Sequence, residues 1–587
     1  MSSDKLLEVS NLCVDFCDDK KAPRRVVNGI SFYLNRGETL GIVGESGSGK
    51  SVSTLALMGL LPKVAKVSGQ AMLSCCQPQQ SAVNLLSLDE EGLRSIRGKR
   101  ISMIFQEPMT SLNPVQRCGN QVMEMIRDLE QPKEEKKELV INLFREVKLP
   151  RPEKIFDSYP HELSGGQKQR VMIAMALICK PDIVIADEPT TALDVTVQKT
   201  ILELLRELQR KFSMSIIFIT HDLGVVAQVA DRVMVMRNGE IVEQGDAAIV
   251  LQNPNEPYTK GLLACRPPLE GRPKRLPTVD DFLSGSTQSI PPLSSDIPTS
   301  PTQQTQSQSQ QSLLLTVRNL SVEYVLKKSF LGRPLEKLKA VDGISFDLYR
   351  GETLGLVGES GCGKSTLGRA LLRLINSRSE QITFDGQRLD QMSQSQLRQL
   401  RTKMQIIFQD PYSSLNPRLT VGETIMEPLM VHNKKLSRNE ARKPVIDLME
   451  RVGIKAEWFN RYPHQFSGGQ RQRICIARAL ILNPELVICD ESVSALDVSV
   501  QAQVLNLLGE LKEQFGYTYI FISHDLSVIH FVSDRIMVMR AGKIIEHGNT
   551  DEVYHAPKED YTKTLLEAIP RIGVTSSCSA SPLPPQS

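Results

Sequence analysis

Residues 44–51 read GESGSGKS, and residues 358–365 read GESGCGKS. Both stretches fit the pattern Gly-x-x-x-x-Gly-Lys-Ser, in which a glycine-rich turn leads from a strand into a helix and wraps its backbone amides around phosphate oxygens. A short apolar run precedes each stretch, as a buried strand would. The pattern therefore predicts two phosphate-binding loops and, with them, two α/β domains.

The chemistry expected of each loop follows from its residue types. Glycines allow the positive φ angles that such a turn needs, the lysine reaches the β- and γ-phosphates, and the serine after it binds Mg²⁺. The predicted phosphate-binding residues are Gly44, Glu45, Ser46, Gly47, Ser48, Gly49, Lys50 and Ser51 in the first copy and Gly358, Glu359, Ser360, Gly361, Cys362, Gly363, Lys364 and Ser365 in the second.

The repeat extends well beyond the two loops. Three further positions recur at a spacing of 303 residues: Gln106 with Gln409, Asp187 with Asp490, and His221 with His524. Because the motifs keep the same order in both halves, the chain carries one nucleotide-binding unit twice. Such a doubling suggests two phosphate sites that work together.

An apolar strand ends in two carboxylates in each copy, DIVIADE in the first and ELVICDE in the second. In parallel sheets the working groups lie at the carboxyl ends of the strands. Asp187 and Asp490 are therefore predicted to hold Mg²⁺, directly or through water. Glu188 and Glu491 follow them directly and are predicted to orient or deprotonate the attacking water.

A histidine closes another apolar run in each copy, His221 in FITHD and His524 in FISHD. A single histidine at such a place is more often a hydrogen-bonded structural residue. The paired positions favour a catalytic role instead, because a donor near the γ-phosphate suits both sites.

LSGGQ at 163–167 and FSGGQ at 466–470 complete the pattern. With these motifs the chain resembles two fused ATP-binding subunits of ABC transporters, whose signature loop has this sequence. The resemblance implies an α/β fold with two tandem phosphate-loop NTPase domains, each with a mainly parallel sheet core and a helical signature subdomain. It also implies hydrolysis of ATP, with Mg²⁺ as the cofactor. In this family Gln106 and Gln409 are implied to contact both the metal and the transmembrane partner.

The arrangement of the family further implies composite sites, in which the signature loop of one half closes over ATP bound to the lysine of the other half. The amides at the start of the signature helix would then add donors to the γ-phosphate. The two ATPase domains of this chain would pair with each other. The residues implied to close the sites are Ser164, Gly165, Gly166, Gln167, Ser467, Gly468, Gly469 and Gln470.

Both copies keep the lysine, signature, glutamate and histidine, so we expect two competent sites. The departures are small: Ser492 stands where the first copy has Pro189. Phe16 and Tyr324 are candidates for stacking on adenine, and a place in the core is the alternative for both.

The repeat also sets the domain boundaries. We predict a first ATP-binding domain over 1–266 and a second over 313–570. The segment 267–312 is rich in Pro, Ser, Gln and Thr and is predicted to be a flexible linker, because it has too little apolar surface to offset the entropy of ordering. The tail 571–587 is predicted to be flexible for the same reason.

Composition excludes several classes of protein. A net charge of +3 over 587 residues is too balanced to indicate a nucleic-acid partner. No apolar run approaches the roughly 20 residues of a spanning helix, and no secretory signal is visible. The 11 scattered cysteines include no CxxC pair and are expected to be free thiols in a reducing compartment.

FQEPMTSLNP, FQDPYSSLNP and the paired endings YTKGLLA and YTKTLLE resemble the peptide, glutathione and nickel importer branch of the family. The resemblance implies a peripheral subunit on the cytoplasmic face of the inner membrane. Its partners would be two separate permease subunits and, through them, an external substrate-binding protein. A peptide or antibiotic exporter ATPase, and a soluble ABC ATPase acting on ribosomes or on DNA repair, are the alternatives. Dipeptide, longer peptide, glutathione and nickel all stay open as cargo.

Overall fold

The computed structural model describes residues 5–17, 23–74, 82–106, 111–191, 193–284, 312–328, 334–494 and 496–570. The chain divides into two compact units, one formed mainly by residues 1–263 and the other mainly by residues 264–569. Each unit contains one copy of the repeat.

The described strands of the first unit form two sheets, a four-stranded one in the order β2-β1-β4-β5 and a six-stranded one in the order β10-β9-β3-β8-β7-β6. Their bounds are β1 (Lys5–Phe16), β2 (Arg24–Asn35), β3 (Thr39–Val43), β4 (Ala65–Leu73), β5 (Val83–Asn84), β6 (Ile101–Ile104), β7 (Ile183–Asp187), β8 (Ser215–Ile219), β9 (Arg232–Arg237) and β10 (Glu240–Asp246).

The second unit repeats this topology, with a four-stranded sheet in the order β12-β11-β14-β15 and a six-stranded one in the order β16-β17-β18-β13-β19-β20. The bounds are β11 (Leu313–Lys328), β12 (Pro334–Tyr349), β13 (Thr353–Val357), β14 (Gln381–Phe384), β15 (Gln387–Arg388), β16 (Met404–Ile407), β17 (Leu486–Asp490), β18 (Thr518–Ser523), β19 (Arg535–Arg540) and β20 (Lys543–Asn549).

Helices fill the connections between these strands. In the first copy and the segment after it they are α1 (Lys50–Leu57), α2 (Glu90–Ile96), α3 (Cys118–Glu124), α4 (Lys133–Glu146), α5 (Pro152–Asp157), α6 (Gly165–Leu177), α7 (Val195–Phe212), α8 (Leu223–Val229), α9 (Ala247–Gln252), α10 (Pro257–Ala264) and α11 (Val279–Leu283). In the second copy they are α12 (Lys364–Leu371), α13 (Gln394–Leu400), α14 (Pro411–Ser414), α15 (Val421–His432), α16 (Arg438–Arg451), α17 (Gly468–Leu480), α18 (Val498–Phe515), α19 (Leu526–Val532), α20 (Thr550–His555) and α21 (Asp560–Glu567).

The six-stranded sheets are mainly parallel, as predicted. In the first unit only the pairing of β9 with β10 is antiparallel, and in the second only that of β19 with β20. Strand β7 shows why these strands read as continuous apolar runs. Ile183 and Ile185 pack on the side of the four-stranded sheet, whereas Val184 and Ala186 pack against helices on the other side. Both faces are therefore covered.

The predicted helical subdomain lies between β6 and β7 in the first unit and between β16 and β17 in the second. Helices α3 to α6 pack on one another in the first unit, and α15 to α17 do so in the second. The four-stranded antiparallel sheets were not anticipated from the sequence, because their strands alternate weakly and contain irregular pairing.

The predicted flexible linker needs a correction at its start. Residues 267–284 are ordered, contain α11, and belong to the second unit. Leu276 is fully buried there, and its backbone N–H and C=O both pair with the side-chain amide of Asn506, at 2.8 and 2.9 Å. The burial of Leu276 and the pairing of its backbone therefore hold this part of the segment in place, despite its polar composition. The rest of the linker and the tail after residue 570 lie outside the described residues.

No helix within the described ranges combines the length and the apolar character that crossing a membrane would require.

Candidate active sites

Each glycine-rich loop joins a fully buried strand to a helix, as predicted. In the first unit β3 leads into the loop and α1 begins at Lys50, with Gly49 as its N-terminal cap. Gly49 and its counterpart Gly363 have φ angles of 98° and 108°. A Cβ on Gly363 would lie 2.0 Å from the carbonyl oxygen of Ala340, so the turn requires glycine there.

The loop lysines lie over their own loops. Lys50 Nζ donates to the carbonyl oxygens of Gly44 and Glu45 at 2.7 and 2.9 Å. Lys364 Nζ repeats both bonds in the second unit at 2.7 and 2.9 Å. A buried ammonium beside the N-terminus of a helix favours an anion at this position.

The other loop residues divide by exposure. Ser46 and Gly47, like Ser360 and Gly361, are exposed at the tip of the turn. Ser48 and Cys362 occupy the same position in the two copies and are both buried. At this buried position the first copy has a hydroxyl group and the second copy has a thiol.

The serine after each lysine meets the predicted metal-binding aspartate. Ser51 Oγ lies 2.9 Å from Asp187 Oδ1, and Ser365 Oγ lies 2.6 Å from Asp490 Oδ1. Burial raises the pKa of Asp187 to about 6 and also raises the pKa of Asp490. A hydroxyl and a buried carboxylate are hard oxygen donors, so this pair fits Mg²⁺.

Glu188 is held by three side chains. Gln106 Nε2 and Thr191 Oγ1 both donate to its Oε2 at 2.9 Å, and His221 Nδ1 lies 3.3 Å from its Oε1. Burial raises the pKa of Glu188, but the bond and charge of His221, the bond from Thr191 and the charge of Lys50 together lower it to about 2. The carboxylate is therefore ionised at neutral pH.

Glu491 occupies the same place in the second unit. Gln409 Nε2 donates to its Oε2 at 2.7 Å, and His524 Nδ1 and Lys364 Nζ each lie 3.7 Å from one of its oxygens. Burial raises its pKa, and the bond and charge of His524 with the charge of Lys364 outweigh this, so the pKa lies below its ordinary value. Within each unit the structure thus brings together the predicted glutamine, glutamate and histidine.

Both glutamates also have an unusual backbone. The φ angles of Glu188 and Glu491 are 45° and 47°, a conformation that costs free energy in residues other than glycine. The amide of each residue donates to a carbonyl at the end of the adjacent strand, Ile219 for Glu188 at 2.9 Å and Ile522 for Glu491 at 3.0 Å. This bond holds the glutamate at the carboxyl end of its strand.

The signature motifs form helix N-termini. Ser164 caps α6 and Ser467 caps α17, and in both cases a glutamine three residues later, Gln167 or Gln470, returns a bond to the backbone of the serine. This reciprocal pairing is a capping box, and it fixes the start of each signature helix.

The second signature glycine is required by packing. A Cβ on Gly166 would lie 2.8 Å from Val197 Cγ1, and a Cβ on Gly469 would lie 2.2 Å from Val500 Cγ1. Gly165 and Gly468 are less constrained, with a Cβ contact of 3.6 Å to Leu193 and none within 4 Å, respectively.

Sequence reasoning did not assign a role to two tyrosines. The amide of Glu45 donates to Tyr258 Oη at 3.3 Å, and that of Glu359 donates to Tyr561 Oη at 3.1 Å. Each tyrosine thus fixes the start of the glycine loop from a C-terminal helix of its unit. The sequence feature that indicates this contact is the Tyr-Thr-Lys motif, which occurs once in each copy.

The candidate adenine-stacking residues lie at equivalent positions on β1 and β11. Phe16 is half-buried and packs against the core of the first unit. Tyr324 is 42% exposed. Their role with adenine stays a prediction.

Two protein-family models match the chain. The model of the ABC transporter family matches residues 27–191 and 341–494. A second model, the oligopeptide/dipeptide transporter C-terminal region, matches residues 242–286 and 545–585.

Curated relatives match nearly the whole chain. The glutathione import ATP-binding protein GsiA of Pectobacterium atrosepticum is 48% identical over 573 residues, which is 96% of this chain and 90% of the relative. GsiA of Escherichia coli K12 is 47% identical over 577 residues, 97% of this chain and 90% of the relative. A solved dimeric ATP-binding cassette in a post-hydrolysis state with ADP and phosphate aligns with 40% of this chain and 99% of its own, at 27% identity and a TM-score of 0.37.

Two phosphate loops with their paired carboxylates define a tandem α/β nucleotide-binding ATPase. The chain belongs to the ABC transporter family, in which it is an ATP-binding, ATP-hydrolysing subunit with two cassettes.

Proposed function

We propose that this chain is the energy-coupling ATPase of an ABC importer for small peptides of the di- or oligopeptide or glutathione type. The observation that carries the proposal is that each unit holds the complete set of six residue types: the lysine bonds its own loop, the serine bonds the aspartate, and the glutamine and histidine contact the glutamate. The names of the relatives and the match to the oligopeptide/dipeptide transporter region support a peptide cargo.

We assign the chemistry of each site as follows. The lysine and the loop amides would bind the β- and γ-phosphates of ATP. Ser51 with Asp187, and Ser365 with Asp490, would hold Mg²⁺, which would neutralise phosphate charge there. The carboxylate of Glu188 or Glu491 orients the attacking water. Its lowered pKa favours orientation over full proton abstraction, because such a carboxylate is a weak base.

The remaining assignments also follow from the site. His221 and His524 contact the glutamate, and we propose that they donate to the γ-phosphate. Gln106 and Gln409 join the same carboxylates and would sense the metal. We propose that each ATP is closed by the signature helix of the other half, because the amides at a helix N-terminus favour the negative charge of a γ-phosphate.

Coupling to transport requires partners that this chain does not itself supply. We propose two permease subunits, with an external substrate-binding protein delivering cargo to them, and a peripheral location on the cytoplasmic face of the inner membrane. We keep the predicted domain bounds of 1–266 and 313–570, with the linker shortened to the part after residue 284.

An uptake assay tests the proposal. Cells that lack the protein should lose ATP-dependent uptake of labelled glutathione or of a peptide from a di- to pentapeptide panel, and the wild-type gene should restore it. The variant with both Glu188→Gln and Glu491→Gln should be expressed and membrane-associated yet should not restore uptake.

Two outcomes would overturn the scheme. Loss of the protein that raises rather than lowers the internal peptide level would indicate an exporter. Co-sedimentation with ribosomes, together with unchanged peptide uptake, would indicate a translation factor.

A further inference from the structure

Three side chains able to bind a metal converge on the second unit, outside the phosphate site. His530 lies on α19, and Asp551 and His555 lie on α20. Their candidate ligand atoms all lie within 4.8 Å of one another. None of the motifs that define the nucleotide sites includes these residues.

The buried member of this cluster lacks the bonds that its burial calls for. His530 is 1% exposed, and within the described part of the chain neither of its ring nitrogens makes a hydrogen bond. Its Nε2 lies 3.4 Å from Asp551 Oδ1. The ring of Tyr554 stacks on the imidazole at 4.0 Å between centroids and fixes its orientation. Because buried polar groups are normally paired, an imidazole held in this way is suited to a ligand.

The spacing suits a tetrahedral ion. Ligand atoms about 2.0–2.1 Å from a zinc-like ion are about 3.4 Å apart at tetrahedral angles. The pair His530 Nε2 and Asp551 Oδ1 already has that separation. His555 is exposed and four residues after Asp551 on the same helix, so its side chain faces the same side, and its ring lies edge-on to that of His530 with 5.7 Å between the centroids.

The chemistry of the ligands selects the class of ion. Two imidazoles with one carboxylate suit zinc and neighbouring transition metals, whereas Mg²⁺ and Ca²⁺ prefer oxygen ligands alone. An imidazole binds a metal through an unprotonated ring nitrogen, and neither ring nitrogen of His530 has a hydrogen-bond partner among the described residues.

The first unit provides an internal comparison. The positions 303 residues earlier are Ala227, Ala248 and Gln252, on α8 and α9. None of these is an imidazole or a carboxylate, although the helices that carry them are the same. The cluster is therefore not a requirement of the fold.

We propose that His530, Asp551 and His555 form a binding site for one divalent transition-metal ion of the zinc class, with water at the open position. The ion joins α19, which begins two residues after His524, to α20. It thus fixes the helix that follows the histidine of the second nucleotide site, and it does so in one half of the chain only.

The test uses the full chain, stripped with a chelator and titrated with Co²⁺ alone and then with Zn²⁺ as competitor. We expect one Co²⁺ per chain with a tetrahedral d–d spectrum, no sulfur charge-transfer band, and displacement by Zn²⁺. Asp551→Ala and His555→Gln introduce the residues of the first copy, and each should weaken binding at least about tenfold, as loss of a ligand does.

The control is His547→Gln, which removes an exposed histidine of the same unit and should leave binding unchanged. Both test variants alter exposed side chains, and the fluorescence of Trp458 confirms that the unit is folded. Absence of stoichiometric Co²⁺ binding, or binding that persists in both variants with a sulfur charge-transfer band, would overturn the proposal. The measurement needs no ATP, so its result is independent of the proposed transport function.

Discussion

The two copies of the nucleotide site hold the same glutamate with different partners. Glu188 receives bonds from Gln106 and Thr191 at 2.9 Å each, with His221 at 3.3 Å. Its close contacts are thus two neutral donors and a histidine, and the charge of Lys50 also acts on it.

Glu491 has one close donor and two more distant ones. Gln409 donates at 2.7 Å, while Lys364 and His524 lie at 3.7 Å. Ser494, which replaces Thr191, donates instead to the backbone oxygen of Glu491. The comparison shows that the glutamine, glutamate and histidine are common to both sites. The other partners of the carboxylate differ between the copies, and in both copies the pKa of the glutamate stays below its ordinary value.

The largest expected effect comes from removing these carboxylates. With both Glu188→Gln and Glu491→Gln, steady-state ATP hydrolysis should fall by about 10²-fold or more, because glutamine cannot accept a proton or orient water as a carboxylate does. ATP binding, measured by equilibrium dialysis, should persist. Single variants then compare the copies: equal losses would mean equally competent sites, and unequal ones would rank them.

The exposed Glu207 on α7 offers a matched control, and Glu207→Gln should leave hydrolysis unchanged. Normal hydrolysis in the double variant would remove the role that we assign to both glutamates.

A smaller effect is expected at the signature glycines. Gly469→Ala places a methyl group 2.2 Å from Val500 Cγ1, and overpacking of this kind costs about 1–3 kcal/mol. The chain has one tryptophan, Trp458 in the second unit, so its fluorescence during denaturant unfolding reports that unit. We expect the midpoint to fall, and the further change Val500→Ala to restore it.

Gly468→Ala is the control, since a Cβ there meets nothing within 4 Å. In the first copy, Gly166→Ala meets Val197 at 2.8 Å and should leave the Trp458 transition unchanged. A Gly469→Ala protein as stable as wild type would show that α17 and α18 can separate without cost.

The smallest effect should come from the segment before the linker. Asn506→Ala removes two bonds to the backbone of Leu276, leaving a buried N–H and C=O unpaired at a local cost of about 1–3 kcal/mol. Hydrogen exchange of residues 270–284 should accelerate, while the global transition changes little. The equivalent change in the first copy, Glu203→Ala, alters an exposed residue and should have no such effect. Unchanged exchange after Asn506→Ala would show that other contacts order the segment.

Much of the fold was predictable from particular residues. The apolar runs before Gly44 and Gly358 and those ending at Asp187 and Asp490 identified central parallel strands, because strands covered on both faces read as continuous apolar runs. The antiparallel sheets were not predicted, since strands with one irregularly exposed face leave a weak pattern. The prediction of a flexible linker was wrong for residues 267–284. Composition describes the whole segment on average and does not reveal a single buried residue such as Leu276, whose backbone is paired.

The sequence by itself determined the number of sites, the class of chemistry and the family, because the glycine-lysine-serine, aspartate-glutamate and signature motifs are local patterns that appear twice. Only the tertiary structure decided which side chains hold Glu188 and Glu491, why Gly469 cannot carry a Cβ, and that His530 lies beside Asp551 and His555. These facts depend on contacts between residues far apart in the chain. The spacing of residues within one short motif does not indicate how two distant segments approach each other.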